Sequence, residues 1–175
     1  MDNKKLLDLY TDFLICSTGL VTATGLSSIV DKEVSHDQVT RMLSKEDYTS
    51  IDLWKDVKPL VRKLESTSEV GFLIIDDTIE EKPYTDMNEL INYHYSHSKH
   101  RHVKGINILS ALIRYGEIAL PIDYHLIKKD VEYIDKDNNI KHRSSINKND
   151  VAKSFIQNAI SHRLIPDIFF RSLKI

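Results

Sequence analysis

An unbroken apolar run is followed by two adjacent carboxylates in the stretch Val70-Gly71-Phe72-Leu73-Ile74-Ile75-Asp76-Asp77-Thr78. Short continuous apolar runs are typical of strands that are buried on both faces of a sheet. We therefore predict a buried strand that ends at Asp76. Because side chains alternate along a strand, the carboxylates of Asp76 and Asp77 are expected on opposite faces.

Adjacent carboxylates at the end of a buried strand are costly unless they reach solvent or bind a cation. Mg²⁺ and Mn²⁺ suit such a place, since they prefer hard oxygen ligands and need only one or two protein carboxylates. Two such ions about 3.5–4 Å apart can activate a water or a 3′-hydroxyl and stabilise the leaving oxygen of a phosphodiester. For the two residues alone, a strand cap that starts an Asx turn is an equal alternative.

Upstream of this strand, apolar residues recur at helical spacing. Helices are predicted at residues 4–16, 23–31, 36–43 and 50–64. Ser35 is the predicted N-cap of the third helix. Pro59 is predicted to kink or break the fourth. The polar run that follows predicts a boundary between a helical region, residues 1–66, and a second region, residues 70–175.

Downstream of the strand, the pattern predicts a hairpin and a closing helix. Gly116-Glu117 separates two apolar runs and is typical of a hairpin turn. The remaining predictions are a helix at residues 86–95, hairpin strands at 106–115 and 118–127, a long loop at 128–148, a helix at 151–160 and an apolar, strand-like end at 164–175. The predicted fold class is therefore α+β.

Composition favours a cytoplasmic protein. The chain has 24 Lys and Arg against 26 Asp and Glu, with a net charge of -2 and an isoelectric point of about 6.4. No run is long enough to span a membrane, and the N-terminus lacks the apolar block of a signal peptide. The single cysteine excludes an internal disulfide and a cysteine-based zinc site.

Three blocks together resemble insertion-sequence DDE transposases. They are Phe72-Leu73-Ile74-Ile75-Asp76-Asp77-Thr78-Ile79-Glu80-Glu81-Lys82-Pro83-Tyr84, then His94-Tyr95-Ser96-His97-Ser98-Lys99, and then Val103-Lys104-Gly105-Ile106-Asn107. The resemblance extends from about residue 22 to residue 160. It implies an RNase H-like domain with a mixed sheet, incomplete in this chain, and cut-and-paste DNA transposition that depends on Mg²⁺ or Mn²⁺.

By this resemblance, Asp77 is the first metal-binding carboxylate of the catalytic triad, with Asp76 as the alternative. The family's second Asp follows a fourth strand, and its Glu lies on a helix far downstream. Here residues 168–175 carry no Asp after the apolar run, and Asp167 precedes it. We therefore expect a truncated transposase that is inactive alone, because one carboxylate cannot hold two metal ions for in-line displacement.

Residues 22–43 resemble a helix-turn-helix, a unit that places the N-terminal residues of its second helix at base edges in the major groove. His36, Gln38 and Arg41 are the predicted DNA-contacting residues. A plain helical hairpin is the alternative. The unit's core is predicted to contain Leu26, Ile29, Val30, Val34, Val39 and Leu43.

Residues 94–104 form a local basic patch in an otherwise slightly acidic chain. The resemblance implies a loop near the active-site edge, where Lys99, Arg101 and Lys104 contact DNA phosphate. The four histidines of this segment are a less favoured alternative, a metal site, since no cysteine or carboxylate accompanies them.

The expected partners follow from these predictions. They are the terminal inverted repeats of the element, and an intact transposase or a second copy of the chain, with no membrane. Two rival functions stay open: a non-catalytic helix-turn-helix regulator, and a small metal-dependent nuclease in which Asp123 supplies a second carboxylate.

Overall fold

The computed structural model describes residues 2–19, 21–45, 47–67 and 70–164. Two compact units divide the chain, Met1–Tyr48 and Thr49–Ile175. Helices and antiparallel strands together give an α+β architecture, as the sequence predicts. Within the described residues, no helix has the length and apolar character that a membrane crossing requires.

The first unit is built from three helices. They are α1 (Asn3–Cys16), α2 (Ala23–Ile29) and α3 (His36–Lys45). The apolar faces of the three helices and the α2–α3 connection share one core, formed by Leu6, Phe13, Leu26, Val34, Val39 and Met42. Two residues that were predicted for this core are exposed instead, Ile29 by 68% and Leu43 by 43%. The helical phase of α3 buries Met42 instead of Leu43.

The second unit begins with α4 (Ser50–Glu65), which continues through Pro59 without the predicted break. Pro59 and Lys55 are both exposed, so water can solvate the carbonyl that proline leaves unbonded. The inner face of α4 buries Trp54 and Val61 in the core of the sheet. The boundary between compact units therefore precedes α4, whereas the polar run after α4 suggested a later one.

A four-stranded antiparallel sheet follows. Its strands are β1 (Gly71–Glu81), β2 (Ile91–Ser96), β3 (Arg101–Tyr115) and β4 (Ile118–Ile127). The long central strand β3 pairs with β1 along one edge, and with β2 and then β4 along the other. All pairings among the described residues are antiparallel, so the mixed sheet that the resemblance implies is not seen in this part of the chain.

Two local predictions were wrong. The segment predicted as a helix at residues 86–95 contains no helix. It is irregular up to residue 90 and belongs to β2 from Ile91 onward, where pairing with β3 overrides the local pattern. The predicted loop at 128–148 contains a two-stranded hairpin, β5 (Val131–Ile134) and β6 (Ile140–Arg143). This hairpin is largely exposed, so it lacks the apolar alternation that identifies strands in a sequence.

The helix α5 (Lys148–Ser161) packs with α4 against the same face of the sheet. Leu109 and Ile113 of β3 are fully buried beneath these helices. Gly105 allows a close approach in β3, since a Cβ there would lie 2.2 Å from the Glu80 carbonyl oxygen. The strand-like end predicted at 164–175 and the residue Asp167 lie, apart from Leu164, outside the described residues.

Candidate metal site and nucleic-acid surface

The two adjacent carboxylates lie inside β1 and not at its end. Pairing with β3 continues from Gly71 to Glu81, so the strand does not stop at the charged residues. The predicted alternation is confirmed. Asp77 is partly buried on the face that carries Leu73 and Ile75, whereas Asp76 is exposed on the other face.

Asp77 is held by two donors that come from distant parts of the sequence. The Lys148 ammonium, at the start of α5, donates to Asp77 Oδ2 at 2.6 Å. The side-chain amide of Asn107, on β3, donates to Asp77 Oδ1. Both carboxylate oxygens therefore have a donor, and one of the donors is a cation.

Asn107 is a polar residue at the centre of the sheet, with 0% of its surface exposed. Its Nδ2 faces Asp77 and lies 3.5 Å from the carbonyl oxygen of Thr78. Its Oδ1 is buried and has no hydrogen-bond partner among the described residues. An orphaned buried acceptor of this kind costs about 1–3 kcal/mol, so its presence calls for a structural or functional reason.

His94 and Lys129 extend this polar region. His94 lies on β2, is 7% exposed, and its Nε2 has no partner among the described residues. Burial, followed by the Lys129 and Lys148 charges, lowers the pKa of His94 to about 4, against an opposing effect of Asp77. Lys129 donates through its ammonium to the Tyr93 carbonyl, and burial lowers the pKa of Lys129 as well.

We call these five side chains the Asp77 cluster. Its members are Asp77, His94, Asn107, Lys129 and Lys148. The cluster contains a single carboxylate, and no group of three or more His, Cys, Asp or Glu side chains arranged to hold a metal occurs in the described residues. An Asn oxygen is a suitable ligand for Mg²⁺ or Mn²⁺ in addition to a carboxylate.

Asp123, the second carboxylate that the nuclease alternative requires, is engaged elsewhere. It lies on β4 opposite Ala111, which faces Ile75 on its other side. Its Oδ2 accepts from the Asn158 amide at 2.8 Å, and its Oδ1 accepts from the Tyr124 backbone N–H at 2.8 Å. Two strand spacings, about 10 Å, separate it from β1.

A groove of about 860 Å³ adjoins the middle of β1. It is lined by three carboxylates of β1, those of Asp76, Asp77 and Glu81, and by the turn between β2 and β3, including Lys99. Lys99 donates to Glu81 across this region, and that ion pair lowers the pKa of Glu81. The groove thus combines anionic and cationic side chains beside Asp77.

The other predicted phosphate contacts lie on β3. Arg101 begins the strand and is exposed, and Lys104 is half-buried opposite Tyr93. The histidines of the same segment are dispersed. His94 is buried, whereas His97 and His102 both contact the Tyr95 ring edge-on, at centroid distances of 5.0 and 5.4 Å.

On α3, the predicted DNA-contacting residues are exposed but locally bonded. Ser35 donates its backbone N–H to Gln38 Oε1 at 2.8 Å, and Gln38 donates its backbone N–H to Ser35 Oγ at 3.2 Å. This reciprocal capping box confirms Ser35 as the N-cap. His36 lies 3.2 Å from the Asp37 carboxylate, and Arg41 donates to the Asp37 carbonyl.

Sequence reasoning missed Lys148, Asn107 and Lys129 as partners in the site. Asn107 stands inside the apolar run Ile106-Asn107-Ile108-Leu109, and a polar residue in a central strand is a signal that could have found it. Lys129 and Lys148 occur in polar segments that contain several lysines. No local sequence pattern distinguishes these two from the others, because their place in the cluster is set by the fold.

A scan against protein-family models and searches of curated proteins and of solved structures find no match to this chain. The assignment of function therefore depends on the residues and the geometry described above.

Proposed function

We propose that this protein is a DNA transposase of the insertion-sequence DDE class, with Asp77 as its first metal-binding carboxylate. The observation that carries the proposal is the environment of Asp77. The motif's second Asp lies on the helix-covered face of the sheet, where it accepts from the buried Asn107 amide and from the Lys148 ammonium, beside a groove whose lining includes Lys99. A solvated surface carboxylate would not require such surroundings.

The finer fold assignments belong to the same proposal. Strands β1, β3 and β4 are antiparallel neighbours in the sheet, with β2 between β1 and β3 in the chain, and α5 follows after β5 and β6. This arrangement supports an RNase H-like domain. The α2–α3 pair, with its cap at Ser35 and its shared core, supports a helix-turn-helix. In this interpretation α3 presents His36, Gln38 and Arg41 to base edges and phosphate.

Bound Mg²⁺ or Mn²⁺ would supply Lewis acidity to a water or 3′-hydroxyl nucleophile. Asp77 would hold the ion, and Lys99, which lines the same groove, would bind phosphate beside it. Arg101 and Lys104 would bind phosphate farther along the DNA, since alternation turns Lys104 to the opposite face of β3 from Asn107. A two-metal mechanism needs more carboxylates than the Asp77 cluster provides. We therefore propose that the 175-residue chain binds DNA without cleaving it, and that it competes or pairs with an intact transposase at the element ends.

The proposal is tested by gel-shift titration with duplexes cut from the DNA that flanks the gene on each side, and with scrambled duplexes at the same salt concentration. We expect at least one flanking duplex to bind about tenfold more tightly than its scrambled copy. Arg41→Ala should weaken that preference, whereas Lys153→Ala, an exposed lysine on α5, should leave it unchanged. Equal binding to flanking and scrambled duplexes would refute the DNA-binding part of the proposal.

The catalytic part needs its own assay. Supercoiled plasmid is incubated with the protein and Mn²⁺ or Mg²⁺, and nicking is measured on a gel. We expect none from the 175-residue chain. Cleavage that disappears in Asp77→Ala would contradict the proposed inactivity and favour the small-nuclease function.

A further inference from the structure

The outer face of β2 presents two tyrosines to solvent. Side chains of this strand alternate between buried and exposed positions, and Tyr93 and Tyr95 occupy exposed ones, at 50% and 45% exposure. In the pairing with β3, Tyr93 lies opposite Lys104 and Tyr95 lies opposite His102. Because paired residues point to the same face, these four side chains form one surface on the face away from α4 and α5. We call it the Tyr95 surface.

The ring of Tyr95 is held in place by two histidines. His97 and His102 meet it at interplanar angles of 80° and 72°, with ring centroids 5.0 and 5.4 Å away. Edge-to-face contacts of this kind restrict the rotation of the ring. Since Tyr95 is nevertheless well exposed, it can receive a flat partner and loses little conformational entropy when that partner stacks on it.

The charge around the Tyr95 surface favours an anionic partner. The two glutamates at the end of β1 are neutralised by Lys82 and Lys99. The side chains of Arg101 and Lys104 form no ion pair with any residue in the described part of the chain. Cations beside exposed aromatic rings are the combination with which proteins hold the phosphates and the bases of a single nucleic-acid strand.

A flat aromatic surface binds bases that are not paired. In a duplex the bases stack on one another and present only their edges in the grooves, whereas an unpaired base offers its face to an aromatic ring. Sheets with exposed aromatic side chains bind single strands in this way. Tyr95 and His97 also line the groove that contains Asp77 and Lys99, so a strand stacked on Tyr95 has a continuous path to the β1 carboxylates.

We propose that the Tyr95 surface binds single-stranded DNA, with bases stacked on Tyr93 and Tyr95 and backbone phosphates on Arg101 and Lys104. The role of this strand in transposition rests on the proposed function, to which the surface adds a ligand other than duplex DNA. The helix proposed to bind the duplex, α3, lies in the other compact unit, so the two kinds of binding can be measured separately.

The test is fluorescence anisotropy of the full chain at one salt concentration, with two labelled strands of about 12 nucleotides. One is oligothymidylate, and the other is an abasic strand that carries the same phosphates without bases. Wild type should bind oligothymidylate about tenfold more tightly, because only its bases can stack. Tyr95→Leu should lose most of this preference, and Tyr95→Phe should keep it. Lys104→Ala should weaken both strands alike, by about threefold.

Tyr133→Leu is the matched control. Tyr133 is a 39% exposed strand tyrosine outside the surface, and the Arg143 guanidinium lies over its ring, 5.7 Å from the centroid. The variant should therefore bind both strands as wild type does. Circular dichroism verifies folding, and Tyr95→Thr, which suits an exposed strand position, replaces Tyr95→Leu if that variant does not fold.

The outcomes separate this inference from the proposed function. Equal binding of the two strands by wild type, or a loss in Tyr95→Leu no larger than in Tyr133→Leu, would overturn the Tyr95 surface. Neither result changes the preference for flanking duplexes, which the gel-shift titration measures. A preference for oligothymidylate that depends on Tyr95, without any preference for flanking duplexes, would support the surface as a single-strand site and refute the proposed duplex binding.

Discussion

The two candidate functional regions are the exposed face of α3 and the Asp77 cluster. Contacts between near neighbours in the sequence stabilise the first, and contacts between distant residues stabilise the second. On α3, the bonds of His36, Gln38 and Arg41 reach neighbours one to four residues away. In the cluster, Asp77 contacts Asn107 and Lys148, which are 30 and 71 residues distant. The first region is a property of one helix, and the second exists only when the sheet and α5 have formed.

The difference has an energetic consequence. Local bonds on an exposed helix are each worth about 1 kcal/mol or less, because water competes for every partner. Buried polar groups without partners cost more, since they have lost water and gained nothing. Changes in the sheet unit should therefore affect stability more than equivalent changes on α3, and the following predictions test this in descending order.

The largest effect is expected in the core that supports the cluster. Leu109 is 0% exposed at the centre of β3. Leu109→Ala should lower the free energy of unfolding by about 3 kcal/mol, from lost burial and the remaining cavity. Urea unfolding measures this, with Leu60→Ala, 55% exposed on α4, as the control. Equal, small losses in both variants would mean that β3 is not the core of the sheet.

The next largest effect concerns pH. The folded-state pKa of His94 is about 4, below the ordinary 6.5, so the unfolded chain binds a proton more readily. Stability should therefore be unaffected above pH 6.5 and fall as the pH drops toward 4, by about 3 kcal/mol in total. His94→Leu should remove this acid-side loss.

Urea unfolding at several pH values provides the measurement. His97→Leu, in the exposed turn after β2, should keep the wild-type pH dependence. If His94→Leu and wild type lost stability in parallel between pH 6.5 and 4, His94 would not be a buried neutral imidazole.

A third prediction compares two adjacent carboxylates. Asp77→Ala leaves the Lys148 ammonium and the Asn107 amide without their acceptor, so it should cost about 1–3 kcal/mol of unfolding free energy. Asp76→Ala, on the exposed face, should change stability by no more than about 0.5 kcal/mol. Thermal unfolding of both variants measures the two losses of stability. Similar losses would show that the Lys148 and Asn107 contacts contribute nothing.

The smallest effect is expected on α3. Ser35→Ala removes one half of the capping box and should cost about 1 kcal/mol. Amide hydrogen exchange of the first turn of α3 would report it, with Ser44→Ala near the other end of the helix as the control. A loss as large as that of Leu109→Ala would contradict the contrast between the two regions.

The capping box also sharpens the DNA-binding prediction. Gln38 Oε1 accepts from Ser35, so pairing both amide atoms with adenine would require Gln38 to give up the cap. The sequence pattern identifies both Ser35 as the cap and Gln38 as a base contact, because each assignment needs only the spacing. It cannot decide between the two uses of Gln38, since that is a competition between a local bond and a partner.

Several features followed from the sequence alone. The helices of the first unit, the hairpin at Gly116-Glu117 and the opposite faces of Asp76 and Asp77 depend on neighbours in the chain, and the structure confirms them. Side-chain periodicity, capping residues and turn glycines determine structure over a few neighbouring residues. These features can therefore be predicted from the sequence alone.

Tertiary structure decided the rest. Pairing with β3 made residues 91–96 a strand and carried β1 past its carboxylates, and burial of Trp54 and Val61 joined α4 to the sheet. The same folding brought Lys148 to Asp77 and, within the part of the chain that the structure describes, left Asn107 Oδ1 without a partner. These outcomes depend on residues far apart in the chain, whose proximity is set by sheet register and helix packing and has no signature at any one position.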